Sequence, residues 1–247
     1  MVTNLKEKKA YSISLIIPVY NEESLVEGAI KHYLEVLSSD FEDFEIIVVD
    51  DGSDDATGSI IDKYAERNEQ IRVLHNKVNL NFGISIQKGI PLAQKDYILP
   101  TAIDLPLDPK DIASLIEKMH CFDLLILERR FYSGATLWRK ITSKINRLML
   151  HIFFPLATIG LRDLNYTQIY RRKIMPRIMP LAKSPAFTFP EMILRAKYQR
   201  LRVGSVEVDY HPRLRGKGAF GKLHDIIWTV YDMFRFRIIS LGGSRRL

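Results

Sequence analysis

Two apolar runs that each end abruptly in polar residues limit the folds open to this chain more than any other feature. Residues 12–19 (SISLIIPV) precede the polar stretch YNEE, and residues 45–50 (EIIVVD) precede DGSDD. Runs that are apolar at nearly every position are typical of parallel strands buried on both faces. Three further runs, at 71–76, 97–104 and 123–128, alternate with helical patterns. The sequence therefore predicts an α/β fold: one domain with a Rossmann-like, doubly wound, mostly parallel sheet flanked by helices.

Polar residues and prolines mark where several helices should begin. Asn21 is placed to cap a helix that begins at Glu22, and Asp54 with Asp55 precedes a helix over residues 57–67. Pro109 fits the first turn of another helix, because its missing N–H is not needed there.

Composition and charge exclude several classes of protein. The single Cys121 rules out an intramolecular disulfide and a four-cysteine zinc site, and it fits a reducing cytoplasm. The net charge of +7 favours nucleic acid, an anionic membrane surface or a phosphorylated substrate. Because no aromatic stacking motif or recognition-helix pattern accompanies the charge, nucleic acid is not expected. The longest later apolar run, 148–160, falls short of the ~20 residues of a spanning helix, so we expect no unaided membrane crossing.

The polar residues after the first two runs should meet at one edge of the sheet. In open α/β sheets, ligands bind at the carboxyl ends of the strands. An aspartate there can accept hydrogen bonds from a nucleobase or ribose, and Gly52 lets the backbone turn sharply beside it. The alternative is that Asp50, Asp51 and Ser53 only cap the following helix.

The two motifs together resemble the family-2 glycosyltransferases of GT-A fold, whose chain opens with a strand into P-x-Y-N-E and a second strand into V-D-D-G-S. The resemblance implies a pocket for a UDP-, GDP- or dTDP-sugar, with the acid at the end of the second strand facing the base. The residues that would line this pocket are Pro18, Tyr20, Asn21, Glu22, Asp50, Asp51, Gly52 and Ser53.

The stretch TAIDLPLDP at 101–109 is similar to the metal loop of that family, D-A-D-L-x-x-D-P. Ala102 stands where the first aspartate belongs, so Ala102, Ile103 and Asp104 would face the donor with Asp104 as the sole carboxylate. Mg²⁺ commonly uses one or two carboxylates and fills its other positions with water and phosphate oxygens. The resemblance implies Mg²⁺ or Mn²⁺ on Asp104, weakly bound or dispensable. A sugar-nucleotide-binding protein with weakened or lost catalysis remains the alternative.

The second half of the chain resembles the polyprenyl-phosphate glycosyltransferases of dolichol-phosphate mannose synthase type. Segments around residues 128–143, 163–172 and 211–217 look like that group's R-F, W-R-x-x-x-S, D-x-N/T and Y-P-R motifs. The resemblance implies an inverting transfer to a polyprenyl phosphate, with Asp104, Arg129 and Arg139 as catalytic residues. The residues that would bind the acceptor are Arg129, Arg130, Arg139, Lys140, Ser143 and Arg213.

The chemistry of the acceptor decides which side chains the site needs. A phosphate monoester, with a second pKa of ~6, is already largely anionic at neutral pH and needs cations rather than a general base. A saccharide hydroxyl, which stays open as the acceptor, would need a base, for which Asp163 and Glu191 are candidates. Both are equally suited to structural caps or ion pairs.

Two amphipathic segments suit a lipid acceptor. Apolar residues at 141–152 and at 226–238 share helical faces and have lysine and arginine nearby, so both segments are candidates for the headgroup layer of a membrane or for packing on the core. We expect a cytoplasmic protein, peripheral at the inner membrane face, of undetermined oligomeric state. Its expected parts are a flexible N-terminus (1–11), a catalytic domain (12–222) with nucleotide (12–128) and acceptor (129–222) halves, and an amphipathic helix with a basic tail (223–247).

Overall fold

The computed structural model describes residues 8–130, 137–210 and 223–241, with the side chains of 137–140 and 223 outside the description. A seven-stranded sheet in the order β3-β2-β1-β4-β6-β5-β7 has helices packed on both faces. The strands are β1 (Ile13–Val19), β2 (Phe44–Asp50), β3 (Ile71–His75), β4 (Tyr97–Pro100), β5 (Leu124–Arg129), β6 (Thr167–Arg171) and β7 (Val203–Val208). The helices are α1 (Val26–Asp40), α2 (Thr57–Ala65), α3 (Phe82–Gly89), α4 (Ile112–Lys118), α5 (Leu137–Phe153), α6 (Pro155–Thr158), α7 (Met175–Ile178), α8 (Pro185–Tyr198) and α9 (Leu223–Leu241).

The predicted doubly wound, mostly parallel sheet is confirmed, with one reversal. Strands β3, β2, β1 and β4 are parallel to one another, and β5 is parallel to β7. Strand β6 lies between β4 and β5 and is antiparallel to both. The start of β6 therefore lies at the same edge as the ends of β4 and β5.

Two apolar layers, one on each face of the sheet, hold the domain together. In β1, Ile13, Leu15 and Ile17 pack into the layer beneath α1, α2 and α4, while Ile16 packs into the opposite layer. All of β1 and β2 is buried, as continuous apolar runs predict for central parallel strands.

The prediction that Asn21 caps a helix beginning at Glu22 is wrong. Helix α1 begins at Val26, after a turn in which Leu25 N–H and Val26 N–H donate to the Glu22 carbonyl. Asn21 has a left-handed φ of 53°, and its side chain accepts from Asp54 N–H instead. The other two helix starts are confirmed: α2 begins at Thr57, and Pro109 begins a 3₁₀ turn.

Helix α9 is fastened to the domain through the short segment 181–184. The Asp232 carboxylate accepts Lys183 N–H and Ser184 N–H, both at 2.8 Å. On its other side the segment is bonded to α3 and the loop before it, because the Asn81 and Gln87 amides donate to carbonyls of the segment. Segment 181–184 thus connects α9 to α3. Within the described residues, no helix combines the length and the apolar character needed to span a membrane.

Candidate active site

The sheet register brings the ends of five strands to one edge. Val19 is paired with Asp50, Asp50 with His75, and Ile16 with Pro100, so the loops after β1, β2 and β4 leave the sheet together. The end of β5 and the start of β6 follow at the same edge. Tyr20 and Asp104 therefore stand on loops at the same edge as Asp50, the last residue of β2, and their role in donor binding remains a prediction.

Hydrogen bonds join the loops after β1 and β2 into one unit. Asn21 N–H donates to Ser53 Oγ at 3.0 Å, and Glu22 N–H donates to Thr57 Oγ1 at 2.8 Å. The Asn21 amide oxygen accepts Asp54 N–H at 2.9 Å. These hydrogen bonds join the two motifs, both of which carry predicted nucleotide-binding residues, into a single surface. Tyr20 projects from this surface with 41% of its area exposed.

Adjacent aspartates at the end of β2 have different partners. Asp51 is buried, and its Oδ1 accepts from Asn76 Nδ2, Leu80 N–H and Ser85 Oγ at 2.8–3.0 Å. Asp51 thereby fixes the loop between β3 and α3. Asp50, 5% exposed, accepts Ser53 N–H and contacts His75. Neither carboxylate is bonded to the first turn of α2, which argues against the alternative that they only cap that helix.

Gly52 occupies a position that no other residue fits. Its φ is +77°, and a Cβ there would lie 2.7 Å from the carbonyl carbon of Val78. The motif requires glycine because the loop after β2 and the loop after β3 touch backbone to backbone.

His75 and Asp62 belong to this edge and were missed by the sequence analysis. His75 Nδ1 lies 2.9 Å from Asp50 Oδ2, and His75 Nε2 lies 3.0 Å from Asp62 Oδ1. The hydrogen bond to Asp50 is the largest cause that raises the pKa of His75 above its usual value. The only signal in the sequence was a histidine next to the end of the predicted third run, and the strand register is needed to pair it with Asp50.

The loop after β4 is held from below by a buried tyrosine. Tyr33 Oη lies 3.2 Å from Thr101 Oγ1 and 3.2 Å from the Ala102 carbonyl oxygen. Burial is the largest cause that raises the pKa of Tyr33, and the charge of Asp104 raises it further. Ile103 is buried, and Leu105 has a left-handed φ of 51°, a strained conformation for a branched residue.

The side chains of this loop can hold a divalent cation only if a bound ligand supplies further oxygen atoms. Asp104 supplies a carboxylate in this loop, whereas Ala102 supplies a methyl group. No group of three or more His, Cys, Asp or Glu residues arranged to hold a metal occurs in the part of the chain that the structure describes. A cation on Asp104 would therefore draw its remaining oxygens from a diphosphate and water.

Arg129, predicted to bind the acceptor, is engaged within the protein. Its Nε and Nη2 donate to the two carboxylate oxygens of Asp163 at 2.5 and 3.0 Å, and both side chains are largely buried. The guanidinium also lies over the rings of Tyr166 and Tyr210, at 5.1 and 5.4 Å from their centroids. Arg129 thus fixes the start of β6 at the site edge.

Arg130 and the remaining predicted acceptor residues lie in varied surroundings. Arg130, half exposed, pairs with Glu207 and Asp209 of the β7 end. Ser143 is exposed on α5. The side chains of Arg139 and Lys140, and the whole of Arg213, lie outside the described residues. Their predicted roles remain predictions.

Both candidate bases are engaged in ion pairs. Asp163 is bound to Arg129, and its Oδ1 also accepts Asn165 N–H. Glu191 is buried in α8, where it pairs with Arg195 and accepts Leu181 N–H. Burial is the largest cause of the raised pKa of Glu191, whose side chain is only 4% exposed.

Exposed apolar side chains are concentrated on α5, α6 and α9. Eleven of the fifteen exposed large apolar residues in the described ranges lie between 141 and 159 or between 227 and 241. They recur at helical spacing on α5 and α9, and the Phe153 and Phe234 rings meet at 4.9 Å, which joins the two helices. We call this set the apolar surface: Ile141, Ile145, Leu148, Ile152, Leu156, Ile159, Ile227, Tyr231, Phe234, Ile238 and Leu241.

Residues 14–201 match the family described as glycosyl transferase family 2. The chain is 27% identical over 217 residues to dodecaprenyl-phosphate galacturonate synthase of Rhizobium johnstonii, covering 86% of this chain and 63% of that protein. It is 26% identical over 244 residues to undecaprenyl-phosphate 4-deoxy-4-formamido-L-arabinose transferase of Aeromonas hydrophila, covering 94% and 71%. The chain spans only 42% of a Synechocystis glycosyltransferase to which it is also similar.

The fold is similar to that of a solved enzyme with bound donor and metal. Glucosyl-3-phosphoglycerate synthase of Mycobacterium tuberculosis, in complex with Mn²⁺, UDP-glucose and phosphoglyceric acid, superimposes with a TM-score of 0.67 at 17% identity, over 92% of this chain and 79% of that one. The predicted GT-A fold is thereby confirmed.

Proposed function

The chain belongs to the family-2 glycosyltransferases, and from that premise we propose that it transfers a sugar from a nucleoside diphosphate to a polyprenyl phosphate, with inversion. The transfer takes place at the cytoplasmic face of a membrane, to which the protein binds peripherally. In this proposal Asp104 holds a cation at the diphosphate, and Arg129 and Arg139 bind the acceptor phosphate.

The observation that carries this proposal is the apolar surface. A soluble acceptor such as a saccharide gives no reason to expose so many large apolar side chains on two adjoining helices. Basic residues accompany them: Lys144 and Arg147 on α5, and Arg235 and Arg237 on α9. Apolar residues with flanking cations are the combination that binds an anionic lipid surface.

The state of the candidate bases supports a phosphate acceptor. A hydroxyl acceptor needs a base within hydrogen-bond reach, but Asp163 and Glu191 are both used in ion pairs with arginines. A lipid phosphate arrives already charged and attacks without that help. The names of the relatives from Rhizobium and Aeromonas, both polyprenyl-phosphate enzymes, agree with this choice.

The donor occupies the edge formed by the loops after β1, β2 and β4. Tyr20, half exposed, and Asp50, nearly buried, serve the nucleoside, and Asp104 lies on the neighbouring loop where the diphosphate would sit. A divalent cation there would neutralise the departing diphosphate. Asp104 would hold that cation.

Transfer of label tests the proposal directly. The protein is incubated with radiolabelled UDP-, GDP- and dTDP-sugars, short-chain polyprenyl phosphate and Mn²⁺, and the lipid phase is counted. We expect label in the lipid phase. Label that goes only to an added saccharide would refute the lipid acceptor, and nucleotide binding without transfer would support the alternative of a donor-binding protein with lost catalysis.

Replacing Ala102 by aspartate tests the metal loop. A second carboxylate beside Asp104 should lower the Mn²⁺ concentration for half-maximal transfer about tenfold, the effect of one added charged contact. Titration of activity with Mn²⁺ measures this, and Ala102→Asn, which adds a neutral side chain of similar size, is the control. An unchanged Mn²⁺ requirement in Ala102→Asp would contradict the assignment of this loop to the metal.

A further inference from the structure

A chain of contacts leads from the nucleotide edge to the surface of α2. Asp50, at the end of β2, contacts His75 at 2.9 Å, and His75 contacts Asp62 of α2 at 3.0 Å. Asp50 and His75 are register partners in neighbouring strands, so the backbone itself holds them side by side. The predicted donor site contains Asp50, while His75 and Asp62 have no role in it so far.

The two contacts of the His75 ring require it to be charged when both neighbouring carboxylates are ionised. Ionised carboxylates only accept hydrogen bonds, and a neutral imidazole has a single N–H to donate. Both ring nitrogens face carboxylate oxygens, so both contacts are hydrogen bonds only when His75 is an imidazolium. The groups that face it are Asp50 from β2 and Asp62 from α2, and their hydrogen bonds raise its pKa while partial burial lowers it.

The protonated ring fixes the orientation of the Asp50 carboxylate. Oδ1 accepts Ser53 N–H at 3.0 Å, and Oδ2 is bonded to His75. Gly58 closes the third side, since a Cβ on it would lie 3.2 Å from Asp50 Oδ2. A carboxylate held in this way loses no rotational freedom when a ligand binds to it.

Resting on the proposed function, we propose that His75, supported by Asp62, is a positioning residue that fixes Asp50 as the hydrogen-bond acceptor for the nucleobase of the sugar donor. His75 acts through Asp50 and need not touch the donor itself. The test therefore measures binding of the donor nucleotide and its dependence on pH.

Calorimetric titration of the full chain with UDP, GDP and dTDP identifies the nucleotide that binds most tightly, and that one is used as the probe. His75→Phe keeps a ring and removes both hydrogen bonds, so we expect its Kd at pH 6 to rise about tenfold, the effect of one lost charge-assisted bond. Asp62→Asn should raise the Kd less, because it leaves the bond to Asp50 in place. His120→Phe, a change of an exposed histidine on another turn, should leave the Kd unchanged.

The pH profile separates positioning from packing. The pKa of His75 is raised, so its contribution is complete below the ordinary histidine value and is lost as the pH rises through the raised one. The ratio of the His75→Phe Kd to the parent Kd should therefore be largest at low pH and fall as the pH rises. Titration of the diphosphate cancels in this ratio. His75→Gln keeps one hydrogen-bond donor, so its Kd should lie between those of the parent and of His75→Phe. Because glutamine does not titrate, the ratio of the His75→Gln Kd to the His75→Phe Kd should change little as the pH rises.

Two results would overturn the inference: a His75→Phe protein with the parent melting temperature and the parent Kd at every pH, or a Kd ratio independent of pH. Should His75→Phe unfold, Asp62→Asn and His75→Gln carry the same test. The Asp50→Ala variant distinguishes failure of the positioning role from failure of the proposed nucleotide site. If Asp50→Ala weakens binding and His75→Phe does not, only the positioning role fails; if Asp50→Ala binds like the parent, the nucleotide site itself is wrongly assigned.

Discussion

The proposed donor edge and the proposed acceptor half differ in their main polar contacts, apart from the contacts of His75 with Asp50 and Asp62 at the donor edge. At the donor edge, side chains bond to backbone N–H groups of the neighbouring loop, as Ser53, Thr57 and Asp51 do. In the acceptor half, charged side chains bond to each other, as Arg129 does to Asp163 and Arg130 to Asp209. Backbone bonds set a shape before any ligand arrives, whereas ion pairs between side chains can be exchanged for a ligand phosphate. On the proposed function, the donor edge is preformed, while the acceptor half holds its cations in ion pairs that a lipid phosphate would replace.

The largest effect should come from breaking the preformed edge. Asp51→Ala removes the shared acceptor of Asn76, Leu80 and Ser85; Asn76 keeps its bond to Ser85 Oγ, but Leu80 N–H and the Ser85 hydroxyl lose theirs. Unsatisfied buried groups cost about 1–3 kcal/mol each, so we expect about 3–4 kcal/mol lower free energy of unfolding. Urea denaturation measures this. Asp54→Ala, an exposed acid of the same motif, should change stability by less than about 0.5 kcal/mol. Equal stability of the two variants would show that Asp51 does not hold the β3–α3 loop.

An intermediate effect should come from the acceptor half. Arg129→Ala leaves Asp163, only 17% exposed, without its partner, and we expect a loss of about 2 kcal/mol, below the range for fully buried pairs. Adding Asp163→Ala should restore part of the stability without restoring transfer, because the cation is still missing. Arg130→Ala, from a half-exposed pair, should cost less than about 1 kcal/mol. Strictly additive losses for Arg129 and Asp163 would contradict their coupling.

The smallest effect on folding should come from the apolar surface. Ile227→Ser with Ile238→Ser removes two exposed side chains, so the melting temperature should hardly change. Partitioning onto anionic vesicles should fall about tenfold or more, since burial of each such side chain contributes about 1.5–3 kcal/mol. Co-sedimentation measures this, with Val78→Ser, exposed elsewhere, as the control. Unaltered sedimentation of the double variant would place the lipid contact on another surface.

The contrast between these two kinds of contact explains which features of the structure could be predicted from the sequence. The loops after β1 and β2 were predictable because a proline, a glycine with positive φ and two acids are required within a few positions of a strand end. The wrong cap at Asn21 shows the limit: its partner, Asp54 N–H, lies thirty-three residues away. No local rule pairs Asn21 with a loop so distant in the chain.

Ion pairs in the acceptor half were less predictable for the same reason. The sequence named Arg129 and Asp163 separately, as a phosphate ligand and a candidate base, and only the antiparallel insertion of β6 beside β5 brings them together. His75 was overlooked because its meaning depends on the register of β2 with β3. Residues whose role is set by sheet order need the sheet to be known.

The bonds of segment 181–184 have a mechanical consequence. A helix lying on a bilayer can no longer tilt freely, and α9 is bonded to the same segment as Asn81, in the loop before α3, and Gln87 of α3. Docking of α9 on lipid, as proposed, would restrict the loop between β3 and α3, which Asn81 joins to segment 181–184. The bilayer would then brace the enzyme as well as deliver its acceptor, and turnover in detergent should lag behind turnover on vesicles at equal substrate supply.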